Sequence, residues 1–284
     1  MAGVGCADPL DERTLRAQRT FARALPRTSC GMKPSLVFLL AAATVGCATT
    51  QGVVSTATAR APSAAAVNGA TSSDSIPLAL RWYRASAEQH ALFVQTYRNA
   101  TDAAQTLAAQ QASTPWGVIM DADETVLDNS MYQQSRGGRG YTPETWETWV
   151  KAKKATPLPG AADFINRVRA LGGKVSIVTN REANVCPETE ANLRAIGLNV
   201  DQVLCKPGAS SDKNPRFAAV QGGSAPSKLP AMRVIMWLGD NIQDFPNLGQ
   251  SVRGSGAAGF AEFGRTWFVL PNPLYGSWDK NPVP

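Results

Sequence analysis

Trp116 to Thr125 read WGVIMDADET, a short apolar run that ends in two aspartates separated by one residue. Continuous apolar runs of this length are typical of strands that are buried on both faces of a parallel sheet. In open α/β sheets, ligands bind in the crevice beyond the carboxyl ends of the strands. We therefore expect Asp121 and Asp123 to lie at a ligand-binding site.

Apolar runs and segments of helical period alternate along the chain on either side of these aspartates. The predicted strands are 117–120, 174–178, 200–205, 233–238 and 266–270, and the predicted helices are 160–171, 187–196 and 213–221. Upstream, apolar residues at helical spacing predict two amphipathic helices between about 78 and 111. The alternation predicts an α/β fold, a Rossmann-like parallel sheet with helices on both faces and an N-terminal helical segment.

Polar residues follow each of the next predicted strands, and they restrict the chemistry of the site. They are Thr179 and Asn180 after the second strand, Lys213 beyond the third, and Asp240 and Asp244 beyond the fourth. The chain contains one histidine, which excludes phosphohistidine chemistry and metal sites built from several imidazoles. The site must therefore use carboxylates, hydroxyls and lysines.

Four motifs in this order resemble the haloacid dehalogenase-like phosphatases, and more closely the bacterial class C acid phosphatases, the lipoprotein 5'-nucleotidase group. The residues that carry the resemblance are DADETVLDNS (121–130), IVTNR (177–181), GDNIQDF (239–245) and FVLPNPLYGSW (268–278). An isolated Asp-x-Asp-x-Thr is weak evidence, but four motifs that each follow an apolar strand support one another. The resemblance implies a magnesium-dependent phosphatase that hydrolyses phosphate monoesters, 5'-nucleotides among them, through an aspartyl-phosphate intermediate.

Four aspartates of the motifs have expected roles. Mg²⁺ prefers hard oxygen ligands, so we expect Asp121 and Asp240 to bind it, and the resemblance adds the backbone carbonyl of Asp123. Asp121 is also the expected nucleophile, and Asp123 the general acid that later activates water. Asp244 is expected to orient the metal shell.

The phosphoryl group needs hydrogen-bond donors and a positive charge. Thr179 and nearby backbone N–H groups are the expected donors, and a lysine stabilises the charge of the transferring group. Residues 211–216 match the family motif Ser-x-Lys-x-x-Arg, which favours Lys213 over Lys206. The further residues expected to bind phosphate or substrate are Asn180, Arg181 and Tyr132.

Between about 130 and 159 the chain is rich in aromatic residues and has no strand-like run, which indicates a small, mainly helical cap inserted after the first motif. Tyr132 suits two interpretations equally well, stacking on a nucleobase or packing within the cap. For Trp146 and Trp149, which recur at helical spacing, packing is favoured. Phe263 and Tyr275 are weaker stacking candidates.

The N-terminal region resembles an export signal. Met32 and Lys33 precede a short apolar run and small residues that end at Cys47, the order of a signal peptide and too short for a membrane anchor. We expect residues 1–46 to be leader and lipoprotein signal, with translation starting at Met32, and Cys47 to carry the lipid. Residues 47–74 are an expected tether, 75–278 the phosphatase domain and 279–284 a tail. This predicts an outer-membrane lipoprotein of a bacterial cell envelope, facing the periplasm or the surface.

Charge, cysteines and assembly complete the expectations. The formal net charge is +6, but residues 1–46 hold six basic and three acidic residues, so the remainder carries +3 and a nucleic-acid partner is not expected.

An oxidising periplasm permits a disulfide between Cys186 and Cys205, and pairing and free thiols are equally open. The resemblance implies a homodimer, although no stripe of residues indicates an interface.

Two other functions are compatible with the same residues. A surface lipoprotein could bind a ligand through the cap without turnover, and a phosphotransferase would pass the phosphoryl group to an alcohol instead of water. The retained pair Asp121 and Asp123 argues against a pure binder, and product analysis with added alcohols would identify a transferase.

Overall fold

A computed structural model describes residues 76–283, and the predicted signal peptide, Cys47 and tether lie outside this range. The helices are α1 Leu78–Ala85, α2 Ala87–Ala109, α3 Ser130–Arg136, α4 Pro143–Ala152, α5 Ala161–Ala170, α6 Cys186–Ala195 and α7 Asn214–Gly222. The strands are β1 Trp116–Met120, β2 Leu127–Asp128, β3 Thr156–Pro157, β4 Lys174–Glu182, β5 Gln202–Lys206, β6 Arg233–Gly239 and β7 Trp267–Val269. Within residues 76–283 we find no helix of the length and apolarity needed to cross a membrane.

Five strands form one parallel sheet in the order β5-β4-β1-β6-β7, which confirms the predicted fold class. β1 is the central strand, and its last residue, Met120, pairs with Ile177 of β4 and Leu238 of β6. The chain builds outward from β1 first through β4 to β5 and then through β6 to β7. The carboxyl end of β1 therefore lies where the strand order reverses, the position at which such sheets bind ligands.

The central strand shows why the sheet needs helices on both sides. All five residues of β1 are buried, and their side chains alternate between two apolar clusters. Val118 and Met120 join the cluster that contains Phe164 of α5, whereas Ile119 joins the cluster that contains Phe217 of α7. A strand buried on both faces has no polar positions to alternate with apolar ones, which explains its continuous apolar sequence.

The structure corrects one boundary that matters for the site. β4 continues to Glu182 instead of ending at 178, with a register shift against β5 between Val178 and Glu182. The Thr-Asn-Arg motif therefore lies within the strand rather than beyond it. The cap is mainly helical, as predicted, with α3 and α4, and it also contains β3, which pairs in antiparallel fashion with β2 inside the first motif.

Cys186 at the start of α6 and Cys205 in β5 form a disulfide across 19 residues of sequence, with Cα atoms 5.9 Å apart. We expect the variant that carries Cys186→Ser and Cys205→Ser to lose about 3 kcal/mol of unfolding free energy, because the open loop has more conformational freedom when unfolded. Urea denaturation followed by circular dichroism measures this loss. An unchanged urea midpoint, or free thiols found by mass spectrometry of the unreduced protein, would contradict it.

Candidate active site

The loop after β1 turns back tightly on itself and carries the first motif. The N–H groups of Val126 and Leu127 both donate to the carbonyl of Ala122, at 3.0 and 2.9 Å. Glu124 takes a left-handed conformation, with φ of 51°, at the tip of this turn. The N–H of Asp121 donates to Leu238 of β6 at 2.9 Å, which ties the motif to the sheet. The tight turn keeps Asp121 and Asp123 at the end of the central strand.

Lys213 lies between two carboxylates at this end of the sheet. Its Nζ is 2.5 Å from Oδ1 of Asp121 and 2.6 Å from Oδ1 of Asp244. Burial alone would lower the pKa of Lys213, but Asp121 and Asp244 raise it above its usual range, so the side chain remains an ammonium ion. Lys206 lies 2.6 Å from Glu182 instead. The structure thus brings Lys213, the favoured lysine, to Asp121.

Asp240 completes a cluster of three carboxylates with Asp121 and Asp244, whose ligand atoms lie within 4.8 Å of one another. Thr125 donates to Oδ1 of Asp240 at 3.2 Å, and Asn272 donates to Oδ2 at 2.8 Å. These two bonds orient the carboxylate and leave each oxygen with further acceptor capacity.

The charges of the cluster favour a cation. The pKa of Asp121 is raised to about 7, because burial and the neighbouring Asp244 and Asp123 raise it more than Lys213 lowers it. Burial, Asp244 and Asp121 also raise the pKa of Asp240. One lysine cannot balance three neighbouring carboxylates, and carboxylate oxygens are the ligands that hard divalent cations prefer. The residues present therefore fit a divalent metal. Asp244, whose predicted role was to orient the metal shell, belongs to the same cluster as Asp121 and Asp240.

Close packing at the end of β6 allows Asp244 to reach the cluster. Gly239 precedes Asp240, and a Cβ atom at this position would overlap the side chain of Asp244. Oδ2 of Asp244 accepts a hydrogen bond from the N–H of Asn241 at 2.8 Å, which folds the turn back on itself. The sequence Gly-Asp-Asn thus places two carboxylates on one side of a single turn.

The side chain of Asp123 is held on one of its two oxygens. Its Oδ1 accepts hydrogen bonds from Arg181, at 2.7 Å from Nη2 and 2.9 Å from Nε, and from Nδ2 of Asn129 at 2.8 Å. Its Oδ2 receives one longer contact, 3.3 Å from Nε of Arg181. Oδ1 of Asn129 in turn accepts from Nε1 of Trp149 in α4 at 2.9 Å. Asp123 is therefore connected to the cap.

Arg181 lies inside β4 and is buried, whereas we predicted it beyond the end of that strand. It is 1% exposed, and besides Asp123 its guanidinium contacts Asn129 and Thr189, with the ring of Trp146 5.5 Å away. Most of its donors are used inside the protein, and contact of Arg181 with a phosphate or a ribose stays a prediction.

Asn180 and Thr179 occupy opposite faces of β4. Asn180 is exposed, donates to the carbonyl of Ser211 at 3.0 Å and accepts from Arg216 at 2.6 Å. Its amide thus connects β4 to the segment that leads to Lys213. Thr179 is buried, and its hydroxyl oxygen accepts from the N–H of Arg181 at 3.1 Å. Contact of either side chain with a phosphoryl group stays a prediction.

The cap aromatics pack on one another. Tyr132 is buried, its ring meets those of Trp146 and Trp149 at 5.1 and 6.1 Å, and its hydroxyl lies 3.0 Å from Oγ1 of Thr145. Of the two interpretations left open for Tyr132, the structure shows packing within the cap, with 2% of the residue exposed, and its contact with a substrate stays a prediction. Tyr141, which is exposed, lies beside Trp146 at 6.3 Å.

Several residues of the site make contacts that the sequence did not predict. They are Glu124, Asn129, Arg216, Asn272 and Tyr275. Glu124 is fully buried and accepts hydrogen bonds from the N–H of Asn129 and the hydroxyl of Tyr275, and burial, Asp123 and Asp240 raise its pKa. All five lie inside the quoted motifs, so position within a motif was the available signal. Arg216, Asn272 and Tyr275 bond to residues 32 to 151 positions away, whereas Glu124 and Asn129 bond within the loop of the first motif, whose tight turn the sequence did not specify.

A Rossmann-like sheet that carries a nucleophile-type aspartate, a second aspartate two residues on, a lysine and a further acidic pair defines the haloacid dehalogenase-like class. The family model described as "HAD superfamily, subfamily IIIB (Acid phosphatase)" matches residues 46–278. The chain belongs to this family.

Individual relatives agree with the family assignment. The solved class C acid phosphatase from Bacillus anthracis is 28% identical and superposes with a TM-score of 0.63, over 71% of this chain and 85% of that chain. A second structure of that enzyme contains bound tungstate. The stem 31 kDa glycoprotein of Glycine max is 29% identical over 167 residues, which are 55% of this chain. The match spans 58% of the length of that glycoprotein.

Proposed function

We propose that this chain is an exported, magnesium-dependent acid phosphatase that hydrolyses phosphate monoesters, 5'-nucleotides included. The observation that carries the proposal is the contact between Asp121 and Lys213 beside two further carboxylates at the end of the central strand. A phosphate monoester repels a carboxylate nucleophile unless positive charge neutralises both. The site supplies the nucleophile together with the groups that reduce this repulsion.

The residues divide the reaction into two steps. In the first, a carboxylate oxygen of Asp121 bonds to phosphorus while the bond from phosphorus to the ester oxygen breaks. Asp123 gives a proton to the departing oxygen. In the second step Asp123 takes a proton from water, whose oxygen bonds to phosphorus while the bond from phosphorus to Asp121 breaks, which releases inorganic phosphate and restores the Asp121 carboxylate. Lys213 and Thr179 stabilise the charge on the transferring group.

Mg²⁺ is the ion proposed for the acidic cluster. Asp121, Asp240 and the carbonyl of Asp123 would hold it. Asp244 lies in the same cluster, which supports a role close to the ion for that residue as well. When bound, the ion would neutralise charge on the nucleophile and the phosphate. Mg²⁺ suits the site because it binds few carboxylates and keeps several waters.

Substrate class and location rest on wider arguments. A relative that holds tungstate, a tetrahedral oxyanion, supports phosphate as the recognised group. The exposed ring of Tyr141 leaves aromatic surface on the cap beside Trp146, whose ring lies 5.5 Å from the guanidinium of Arg181, and such a surface is compatible with a nucleotide leaving group. We further propose a lipid anchor on Cys47, attachment to the bacterial outer membrane, and a homodimer, on the signal-like sequence and the family resemblance.

A substrate panel tests the proposal. We expect the purified chain to release phosphate from p-nitrophenyl phosphate and AMP between about pH 5 and 6, and to lose this activity when EDTA removes the metal. Added Mg²⁺ should restore the activity, whereas Ca²⁺, which prefers more ligands at longer distances, should restore much less. Heat-denatured protein serves as the control. Failure to release phosphate from any monoester with Mg²⁺ present would contradict the proposal.

A further inference from the structure

The carboxylate of Asp123 has hydrogen-bond partners that phosphate transfer does not by itself require. Arg181, Asn129 and Trp149, which we call the Asp123 network, run from the carboxylate through the sheet and the first loop into the cap. Arg181 and Asn129 are almost completely buried, so water cannot replace the contacts between them. Such buried, charge-assisted contacts fix geometry more strongly than exposed ones.

The network treats the two oxygens of Asp123 differently. Oδ1 accepts three hydrogen bonds of 2.7 to 2.9 Å, whereas Oδ2 has a single contact at 3.3 Å. The side chain of Asp123 is 17% exposed, so part of it is open to solvent. A carboxylate that is held through one oxygen can offer the other to a substrate in a fixed direction.

We propose that the Asp123 network positions Asp123 for proton transfer, with Oδ2 as the oxygen that meets the leaving group, and that it makes this geometry depend on the cap. Arg181, Asn129 and Trp149 are positioning residues, since each acts through Asp123 and none needs to touch the substrate. The inference rests on the proposed function and names how its general acid is held.

Loss of the network should affect esters according to their leaving groups. When Asp121 bonds to phosphorus and the ester bond breaks, the departing oxygen takes the electron pair. An alkoxide needs a proton at that moment, whereas p-nitrophenolate is stable without one. A misplaced Asp123 therefore slows alkyl phosphates much more than p-nitrophenyl phosphate. A general loss of structure would slow both equally.

The test compares kcat/KM for glycerol 2-phosphate and p-nitrophenyl phosphate in the full chain with Mg²⁺. This ratio covers only the steps up to departure of the leaving group, so hydrolysis of the intermediate does not obscure it. For Arg181→Gln we expect a loss of about 100-fold with glycerol 2-phosphate and about tenfold or less with p-nitrophenyl phosphate. Arg167→Gln, which removes an exposed arginine bonded to Gln105, is the matched control and should change neither.

A milder variant covers the case in which Arg181→Gln fails to fold. Trp149→Phe keeps an aromatic ring in the cap but removes the N–H that donates to Asn129. We expect it to lower kcat/KM for glycerol 2-phosphate about tenfold and to leave p-nitrophenyl phosphate within about twofold. Thermal unfolding of each variant shows which of them remain folded.

The outcomes separate the network from the proposed function. Equal losses on the two esters in a folded variant, or no loss on either, would overturn the positioning role. Wild-type protein that releases phosphate from neither ester would instead contradict the proposed function, and this inference with it. A preferential loss on glycerol 2-phosphate in Trp149→Phe supports the connection between cap and Asp123.

Discussion

Asp121→Asn is expected to lower kcat for phosphate release by about 10⁴-fold or more, because an amide cannot serve as the nucleophile and the two-step route is lost. The fold should survive the change. Lys213 retains Asp244 as a counter-charge at 2.6 Å, and asparagine has the shape of aspartate. The substitution therefore isolates the chemistry of one oxygen atom rather than the packing around it.

Two measurements check this expectation. Steady-state release of p-nitrophenol gives the rate, and acid quenching followed by intact mass spectrometry detects one added phosphoryl group in the wild type and none in Asp121→Asn. Asp102→Asn, at an exposed position of α2, is the control for loss of a carboxylate and should remain fully active. Activity of Asp121→Asn within tenfold of the wild type would show that another group attacks phosphorus.

The position of the site followed from sequence because of a property of parallel sheets. Each motif comes at or after an apolar strand, and carboxyl ends of parallel strands meet at one edge. This argument brings Asp121, Asp240 and Asp244 together, the family motif adds Lys213, and the distances between them agree. The fold class followed from the same alternation of strands and helices.

The end of β4 shows where that argument stops. We took β4 to stop at 178, so the strand's period of two was not applied to the residues beyond it. In the structure 179–182 are alternately buried and exposed, which turns Arg181 to the same side as Thr179 and into the protein. A longer strand would have predicted burial of Arg181 but not its partner Asp123, which lies 58 residues away.

The contacts between the cap and the first loop could not be predicted from the sequence, for a different reason. Trp149 and Asn129 are 20 residues apart and meet through one hydrogen bond that depends on how α4 lies across the loop. Helical spacing indicated that Trp149 packs, as it does, but gave no direction for its N–H group. Similarly, Asn272 lies in the last motif, but the sequence indicated no role for it, because its bond to Asp240 spans 32 residues.

Asp123 and Asp240 are both acidic residues of the site, yet their loss is expected to have different consequences. The carboxylate of Asp240 belongs to the cluster that fits a divalent ion, whereas the carboxylate of Asp123 is turned to Arg181 and only its backbone carbonyl is assigned to the metal. A substitution that keeps side-chain shape and removes charge should therefore separate metal binding from proton transfer.

For Asp240→Asn we expect the Mg²⁺ concentration at half-maximal activity to rise about 100-fold, because the cluster loses one anionic ligand. Saturating Mg²⁺ should recover much of the rate. For Asp123→Asn we expect that concentration to change less than about threefold while kcat falls about 10² to 10⁴-fold, since asparagine keeps the backbone carbonyl but cannot exchange a proton. Mg²⁺ titrations of the rate, with calorimetry for binding, measure both quantities. If Asp123→Asn weakened Mg²⁺ binding while Asp240→Asn only slowed turnover, the two roles would be reversed.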